Sequence, residues 1–252
     1  MRARLLLIGL LTCGAMPAWA QDPQQVFDSA NQLYQQGKFA EAGQAYESLV
    51  KNGYAGGTLY YNLGNAYYKT GDVARAILSY ERALKLMPND DDLRHNLQLV
   101  NSVIVDRIEP APRLFIWDYW DGAKHALSLS GLTWLTYLFF VTTLGAFAAL
   151  VLARTYRLRK ISLISGLVSG FILGVLVVVL VARLSDLRAK DNAIVTAQIT
   201  TVKNSPDPKS SDAFVLHAGV KVQISDQLSE WVQIRLADGK VGWMERSAAE
   251  VI

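Results

Sequence analysis

Asn31 and Asn65 are 34 residues apart, and so are Asn62 and Asn96. A carboxamide carries two donors and an acceptor, so amides repeated at a fixed interval suit an extended peptide backbone, read by position rather than by side chain. Tyr34, Tyr61, Tyr68 and Lys69 are interleaved with them and add apolar surface and one positive charge. Asparagines merely solvated on a polar helix face are the plainer alternative. Nothing comparable points to catalysis. His95, His125 and His217 fall in three separate regions, without the spacing of a metal site. Asp90, Asp91 and Asp92 read as helix caps rather than metal ligands. The single cysteine, Cys13, permits no intramolecular disulfide and no cysteine-rich zinc site. The sequence therefore predicts binding rather than turnover, with no enzyme activity, no cofactor and no metal. A net charge of only +3 gives no basis for nucleic-acid binding.

The element that must position the amides is a helical repeat spanning residues 21–105. Gly37, Ala42 and Tyr46 recur as Gly71, Ala76 and Tyr80, a period of 34. The second copy is fuller, with Leu63, Gly64, Tyr67, Gly71, Ala76, Tyr80, Ala83 and Pro88. These residues resemble the tetratricopeptide repeat, a helix-turn-helix unit of that length. Small residues let paired helices approach, the tyrosines fill between them, and Pro88 stops the last helix. Residues 93–105 are expected to form one further helix that caps a two-repeat array. The resemblance implies a concave groove holding Asn31, Tyr34, Tyr61, Asn62, Asn65, Tyr68, Lys69 and Asn96, with Phe27, Thr58 and His95 beside them. Repeats that clamp a terminal carboxylate place lysine where this chain has Phe27 and Tyr61, so a clamp of that kind is not expected.

Hydropathy divides the rest of the chain. Hydrophobic residues make up 51% and charged residues 19%, below the share in most soluble domains. Arg2 and Arg4, a short apolar core and Ala18-Trp19-Ala20 form a secretory signal over residues 1–20. Acylation of Cys13 is the alternative, and Thr12 is a poor residue to precede a lipidated cysteine. Residues 131–153 and 161–182 carry no charge at all. At 1.5 Å per residue each reaches roughly 33–35 Å, enough to cross a hydrocarbon core of ~30 Å. Both are expected to be transmembrane helices in the lipid bilayer. Residues 154–160 between them include four basic residues and are expected in the cytoplasm. An exported amino terminus and two crossings then put both soluble parts in the periplasm. Residues 106–130 form a linker and interfacial segment, where Trp117, Tyr119 and Trp120 suit a membrane surface; residues 183–191 form a second linker. Gly166, Gly170 and Gly174 share one helix face, either for packing within the hairpin or for docking a partner's membrane helix. The spans hold no ionisable residue, which argues against transport or proton relay.

Beyond Asp191 the apolar pattern changes to period two. Residues 193–203, 220–224 and 231–236 alternate as half-buried strands, and Asp238-Gly239 marks a two-residue hairpin. With about five strands, residues 192–252 resemble a bacterial SH3-like domain, chiefly through residues 231–243. In that family Trp231 and Trp243 would serve barrel core and hairpin packing, with ligand contact as the alternative. The fold class expected is a multidomain membrane protein: an all-α tetratricopeptide-like array, two transmembrane α-helices and a small all-β SH3-like barrel.

The order of these parts, with residues 62–71, Ile108-Glu109-Pro110 and residues 231–243, resembles the E-type proteins of the bacterial aerotolerance (Bat) operon. That resemblance implies a non-catalytic inner-membrane subunit working with membrane-anchored von Willebrand factor A domain proteins and a MoxR-type ATPase, in aerotolerance or envelope stress. The alternative is a cell-wall adaptor whose SH3-like domain holds peptidoglycan while the repeats recruit a wall enzyme. Signalling across the membrane is disfavoured by the shortness of the cytoplasmic loop.

Overall fold

A computed structural model describes residues 22–189 and 191–252. The signal sequence expected over residues 1–20, with Cys13, lies outside the described residues. Asp22 accepts a hydrogen bond from Gln24 N at 3.0 Å and Pro23 takes the first helical position, which together start α1 (Pro23–Gln35). Four more helices follow: α2 (Phe39–Lys51), α3 (Gly57–Lys69), α4 (Val73–Leu86) and α5 (Asp91–Asn101). The α1–α2 and α3–α4 turns are made the same way. Lys38 N donates to Leu33 O and Asp72 N to Tyr67 O, while Gly37 and Gly71 take φ of +78° and +82°. Only glycine enters that region without strain, which explains its recurrence at the repeat period. Asp90 caps α5 by accepting from Leu93 N at 2.9 Å.

Small residues set the spacing between these helices. Ala30, Ala42, Tyr46, Leu63 and Ala66 form one buried cluster, and Ala76, Tyr80, Ala83, Leu93 and Leu97 belong to the next. At Gly64 a Cβ would lie 2.6 Å from Tyr80 Cε1, so the Tyr80 ring fills the space a side chain would need. Leu93 and Leu97 of α5 pack against the second repeat; the helix spans Asp91–Asn101, where residues 93–105 were expected.

Beyond the array come α6 (Phe115–His125) and two long helices, α7 (Leu129–Leu152) and α8 (Tyr156–Arg188). Both long helices are apolar enough to cross a membrane, with peak mean hydropathy of 2.1 and 2.7. α8 has 33 residues and takes in residues 156–160 and 183–188, which the sequence pattern had placed in the connecting loop and the second linker. The two helices pack along their length, with Thr143 Oγ1 donating to Ser169 Oγ at 3.0 Å. A Cβ at Gly166 would meet Ala146 at 3.5 Å and one at Gly170 would meet Thr143 at 3.8 Å, whereas Gly174 has nothing within 4 Å. The first two glycines thus face α7 of the same chain. Lys124 on α6 bonds Asp186 on α8 at 2.6 Å and fastens α6 beside the end of that helix.

The remainder is one antiparallel sheet of seven strands: β1 (Asn192–Val195), β2 (Ile199–Lys203), β3 (Asp212–His217), β4 (Lys221–Leu228), β5 (Trp231–Arg235), β6 (Val241–Glu245) and β7 (Ala249–Val251). Their spatial order is β3-β2-β6-β5-β4-β1-β7. Seven strands form where about five were expected, and two further differences from the sequence pattern have local causes. Residues 193–203 form two strands, because Thr196 N and Ala197 N both turn to the Ala248 carbonyl. The β5–β6 connection is a three-residue loop rather than a two-residue one. Leu236 N bonds Lys240 O, and Gly239 closes a turn onto Leu236 O. Val202, Val222, Val232, Ile234 and Met244 fill the core. Alternation from Val232 and Ile234 puts Trp231 on the other face of β5, and Trp243 is likewise out of step with Met244. Both tryptophans are half-buried on the face opposite the core, where Trp243 lies across from Gln233.

The sheet is seated on the array. Ile194 of β1 is fully buried among Ala76, Ile77, Tyr80 and Leu93. Around it Lys221 bonds Glu81 at 2.7 Å, Arg82 bonds Glu250 at 3.0 Å, and Lys85 Nζ donates to Ala189 O and Ile252 O. The segment after α5 joins in. Asp106 accepts from His217 N at 2.6 Å, Ile108 packs on the sheet core, and Ala111 N donates to Ala237 O.

Candidate functional site

The groove is built by α1, α3 and α5, with α2 and α4 behind them. Its amides form a repeated chain of hydrogen bonds. Tyr46 Oη donates to Asn31 Oδ1 at 2.6 Å and Asn62 Nδ2 donates to the same oxygen at 3.0 Å. One repeat later, Tyr80 Oη donates to Asn65 Oδ1 at 2.7 Å and Asn96 Nδ2 donates to it at 3.3 Å. Asn96 Nδ2 also reaches Tyr61 Oη at 3.0 Å. Each second-helix tyrosine thus reaches through the array to fix a first-helix amide, and each amide is tied to the next first helix.

This arrangement divides the amides into used and unused halves. The Asn31 and Asn65 carbonyl oxygens are spent inside the array. Their Nδ2 groups, and the Asn62 and Asn96 Oδ1 atoms, take no part in these bonds. Those are a donor and an acceptor per repeat, held at fixed positions, which is what an extended main chain requires. The amides are half-buried, so a ligand meets little mobile side chain to order.

Six of the eight expected groove residues line a single cleft of about 360 Å³: Tyr34, Tyr61, Asn65, Tyr68, Lys69 and Asn96. Asn31 and Asn62 lie outside that lining and meet one another through their hydrogen bond. Tyr80, Leu99 and Val100 complete the cleft and were not among the residues expected there. Leu99 stands 34 residues after Asn65, so the repeat period pointed to it. Tyr80 and Tyr46 were legible as packing residues, and their equal spacing of 15 from Asn65 and Asn31 was the signal for the hydrogen bonds. At one side Tyr34 packs edge-on against Phe39 at 5.0 Å, and Lys69 Nζ lies 6.0 Å from the same ring.

Burial governs the electrostatics. It pushes the Tyr46 phenol up to about 12, against a smaller opposing effect of the Asn62 amide, and raises Tyr80 in the same direction. Tyr34 is raised by burial and then by neighbouring Tyr61. All three are neutral donors at physiological pH. Among the described residues no three His, Cys, Asp or Glu side chains converge as metal ligands.

Residues 27–91 match the family model described as tetratricopeptide repeat. The match runs from the middle of α1 to the first residue of α5, so it covers both helical pairs. This is a protein-interaction fold and not a catalytic one. No curated protein matches the chain. The polar contacts of the sheet side with the array come from Glu81, Arg82 and Lys85 of α4, none of which lines the groove, while Tyr80 belongs both to the cleft lining and to the cluster that buries Ile194. No residue of the sheet lines the cleft, which stays open while the sheet is docked.

Proposed function

We propose that this chain is a non-catalytic scaffold of a bacterial inner membrane, anchored by α7 and α8, whose groove holds an extended segment of a protein partner. The observation that carries this reading is the repeated, half-used pair of amides, of which Asn65 and Asn96 line an open cleft that no sheet residue enters. On this reading residues 1–20 are removed on export, and the array (residues 21–105) and the β domain (residues 192–252) both face the periplasm. Contact between the two supports placing them on one side of the bilayer. The β domain is read as SH3-like and as the contact for a second protein. Gly174, open where Gly166 and Gly170 are covered, is the point at which a partner's membrane helix approaches.

The order of modules favours membership of the E-type proteins of the aerotolerance (Bat) operon. The partners are then von Willebrand A domain membrane proteins, in an assembly with a MoxR-type ATPase serving aerotolerance or envelope stress. The test is affinity purification of the crosslinked full chain from gently solubilised membranes. Recovery of von Willebrand A proteins by the wild type, lost with Asn65→Asp plus Tyr68→Ala, is the expected result. Unchanged recovery by that variant removes the groove as the binding surface. Recovery of muropeptides or wall hydrolases instead moves the function to the cell wall.

A further inference from the structure

A second cleft, of about 530 Å³, opens where α4, α6, α8 and the sheet meet. Arg183 of α8 lines it. The residue is 5% exposed, and among the described residues its Nε has no hydrogen-bond partner. A buried Nε–H without a partner is costly, because that donor has left water and gained nothing. The carboxylates around it are engaged elsewhere. Three of the four wall carboxylates are already paired with other cations: Glu81 with Lys221 at 2.7 Å, Asp186 with Lys124 at 2.6 Å, and Asp121 with Lys124 and Arg113 at 3.0 Å each. The fourth, Asp191, accepts from the Asn192 and Gln223 amides. Lys85 is a second wall cation bonded to no side-chain carboxylate, its Nζ donating to Ala189 O and Ile252 O. Burial holds the Lys85 ammonium below its usual range.

Two cations from elements about 100 residues apart thus face one cleft, and among the described residues neither is bonded to a side-chain carboxylate. Arg183 also stands one residue beyond the uncharged run 161–182, at the depth where a helix leaves hydrocarbon for headgroups. Beside the cleft, α6 presents Phe115, Ile116, Trp117 and Tyr119 to the outside, residue types that favour a membrane interface.

We propose that this cleft binds a phosphate group through the Arg183 guanidinium and the Lys85 ammonium. Guanidinium suits it because its planar fork of donors matches phosphate oxygens. An anionic phospholipid headgroup is one source of that phosphate and free phosphate is the other. The lipid source rests on α7 and α8 lying in a membrane; the cleft itself does not, and neither depends on the groove.

Native mass spectrometry and thermal unfolding of the detergent-solubilised full chain test this, with phosphatidylglycerol, diacylglycerol and inorganic phosphate as probes. Phosphatidylglycerol is expected to bind and raise Tm. Diacylglycerol, which has the tails without the phosphate, is expected to bind at least about tenfold more weakly. Arg183→Gln and Lys85→Gln should each lower phosphatidylglycerol affinity about tenfold or more. Without lipid, Arg183→Gln should melt no lower than the wild type, because it removes an uncompensated buried charge; a purely structural Arg183 would instead make the variant less stable. Should Arg183→Gln not fold, Lys85→Gln decides alone. Inorganic phosphate that binds and competes with the lipid assigns the source to free anion. Equal binding of phosphatidylglycerol and diacylglycerol overturns the proposal, as does equal phosphate or lipid affinity in wild type and variants. Asn65→Asp plus Tyr68→Ala should leave phosphate binding unchanged, which separates this cleft from the partner groove.

Discussion

Two hydroxyls, on Tyr46 and Tyr80, hold the groove in shape. Each phenol is 1% exposed and each bonds an amide oxygen on the helix in front of it. Tyr80→Phe removes a buried donor and leaves Asn65 Oδ1 with the long Asn96 bond only. A loss of about 1 kcal/mol in stability is expected by denaturant unfolding, with a larger loss of partner affinity because the unused half of Asn65 is no longer oriented. Gly64→Ala acts on the same ring from the other side. Its methyl would meet Tyr80 at 2.6 Å, and destabilisation of about 1–3 kcal/mol should appear as a lower midpoint of the helical circular-dichroism transition. The array should also be alkali-sensitive. Tyr46 in the fold titrates at about 12 against an ordinary 10, so the folded state prefers the protonated phenol. That contribution is complete below pH 10 and is lost as pH rises through 12. Loss of helical signal should therefore coincide with tyrosinate absorbance in this window, and Tyr46→Phe should blunt it. The period of 34 made the groove amides legible in the sequence. It did not show which half of each amide is spent, since that depends on a tyrosine reaching across from another helix.

At the scale of elements, local signals carried far. Gly37, Gly71, Pro88 and Asp90 mark helix boundaries through local backbone geometry and capping, and the uncharged runs located α7 and α8, though α8 continues past its run at both ends. What failed to show was imposed from a distance. Residues 193–203 alternate throughout, yet the chain bends at Thr196 because Ala248, some fifty residues on, offers its carbonyl there. Trp231 and Trp243 were expected to serve barrel core and hairpin packing; Val232, Ile234 and Met244 take the inward positions, and period two leaves the tryptophans on the opposite face of the hairpin. The hairpin of α7 and α8 makes a graded prediction. Gly166→Leu and Gly170→Leu should drive α7 and α8 apart and lower the thermal stability of the detergent-solubilised chain. Gly174→Leu should not, because nothing stands within 4 Å of it. If Gly174→Leu proves as damaging to stability as Gly166→Leu, the helix pairing is different from the one described.

Across the whole molecule, the decisive contact is the sheet on the array. Ile194 is one apolar residue in an alternating strand, so the sequence placed it on an inward face without naming what it would meet. It is buried among Ala76, Ile77 and Leu93 of the helical part rather than in the sheet's own core. Ile194→Ala should cost about 2–5 kcal/mol at this junction. Array and sheet should then melt as separate transitions and the segment after α5 should become open to protease. The surrounding ion pairs, with Lys221 48% and Glu250 53% exposed, contribute less, about 0–1 kcal/mol each. Docking uses α4 and fixes the segment after α5, so array and sheet sit together beside the two long apolar helices.

That presentation is tested most directly by photocrosslinking from within living cells. A photoreactive residue replaces Leu99, which lines the cleft, or Glu41, which is exposed on α2 behind it. The scaffold account predicts a discrete adduct with a von Willebrand A domain membrane protein from position 99, none from position 41, and loss of the adduct on adding Asn65→Asp and Tyr68→Ala. Equal adducts from both positions, or an adduct at 99 that survives those two substitutions, would contradict it.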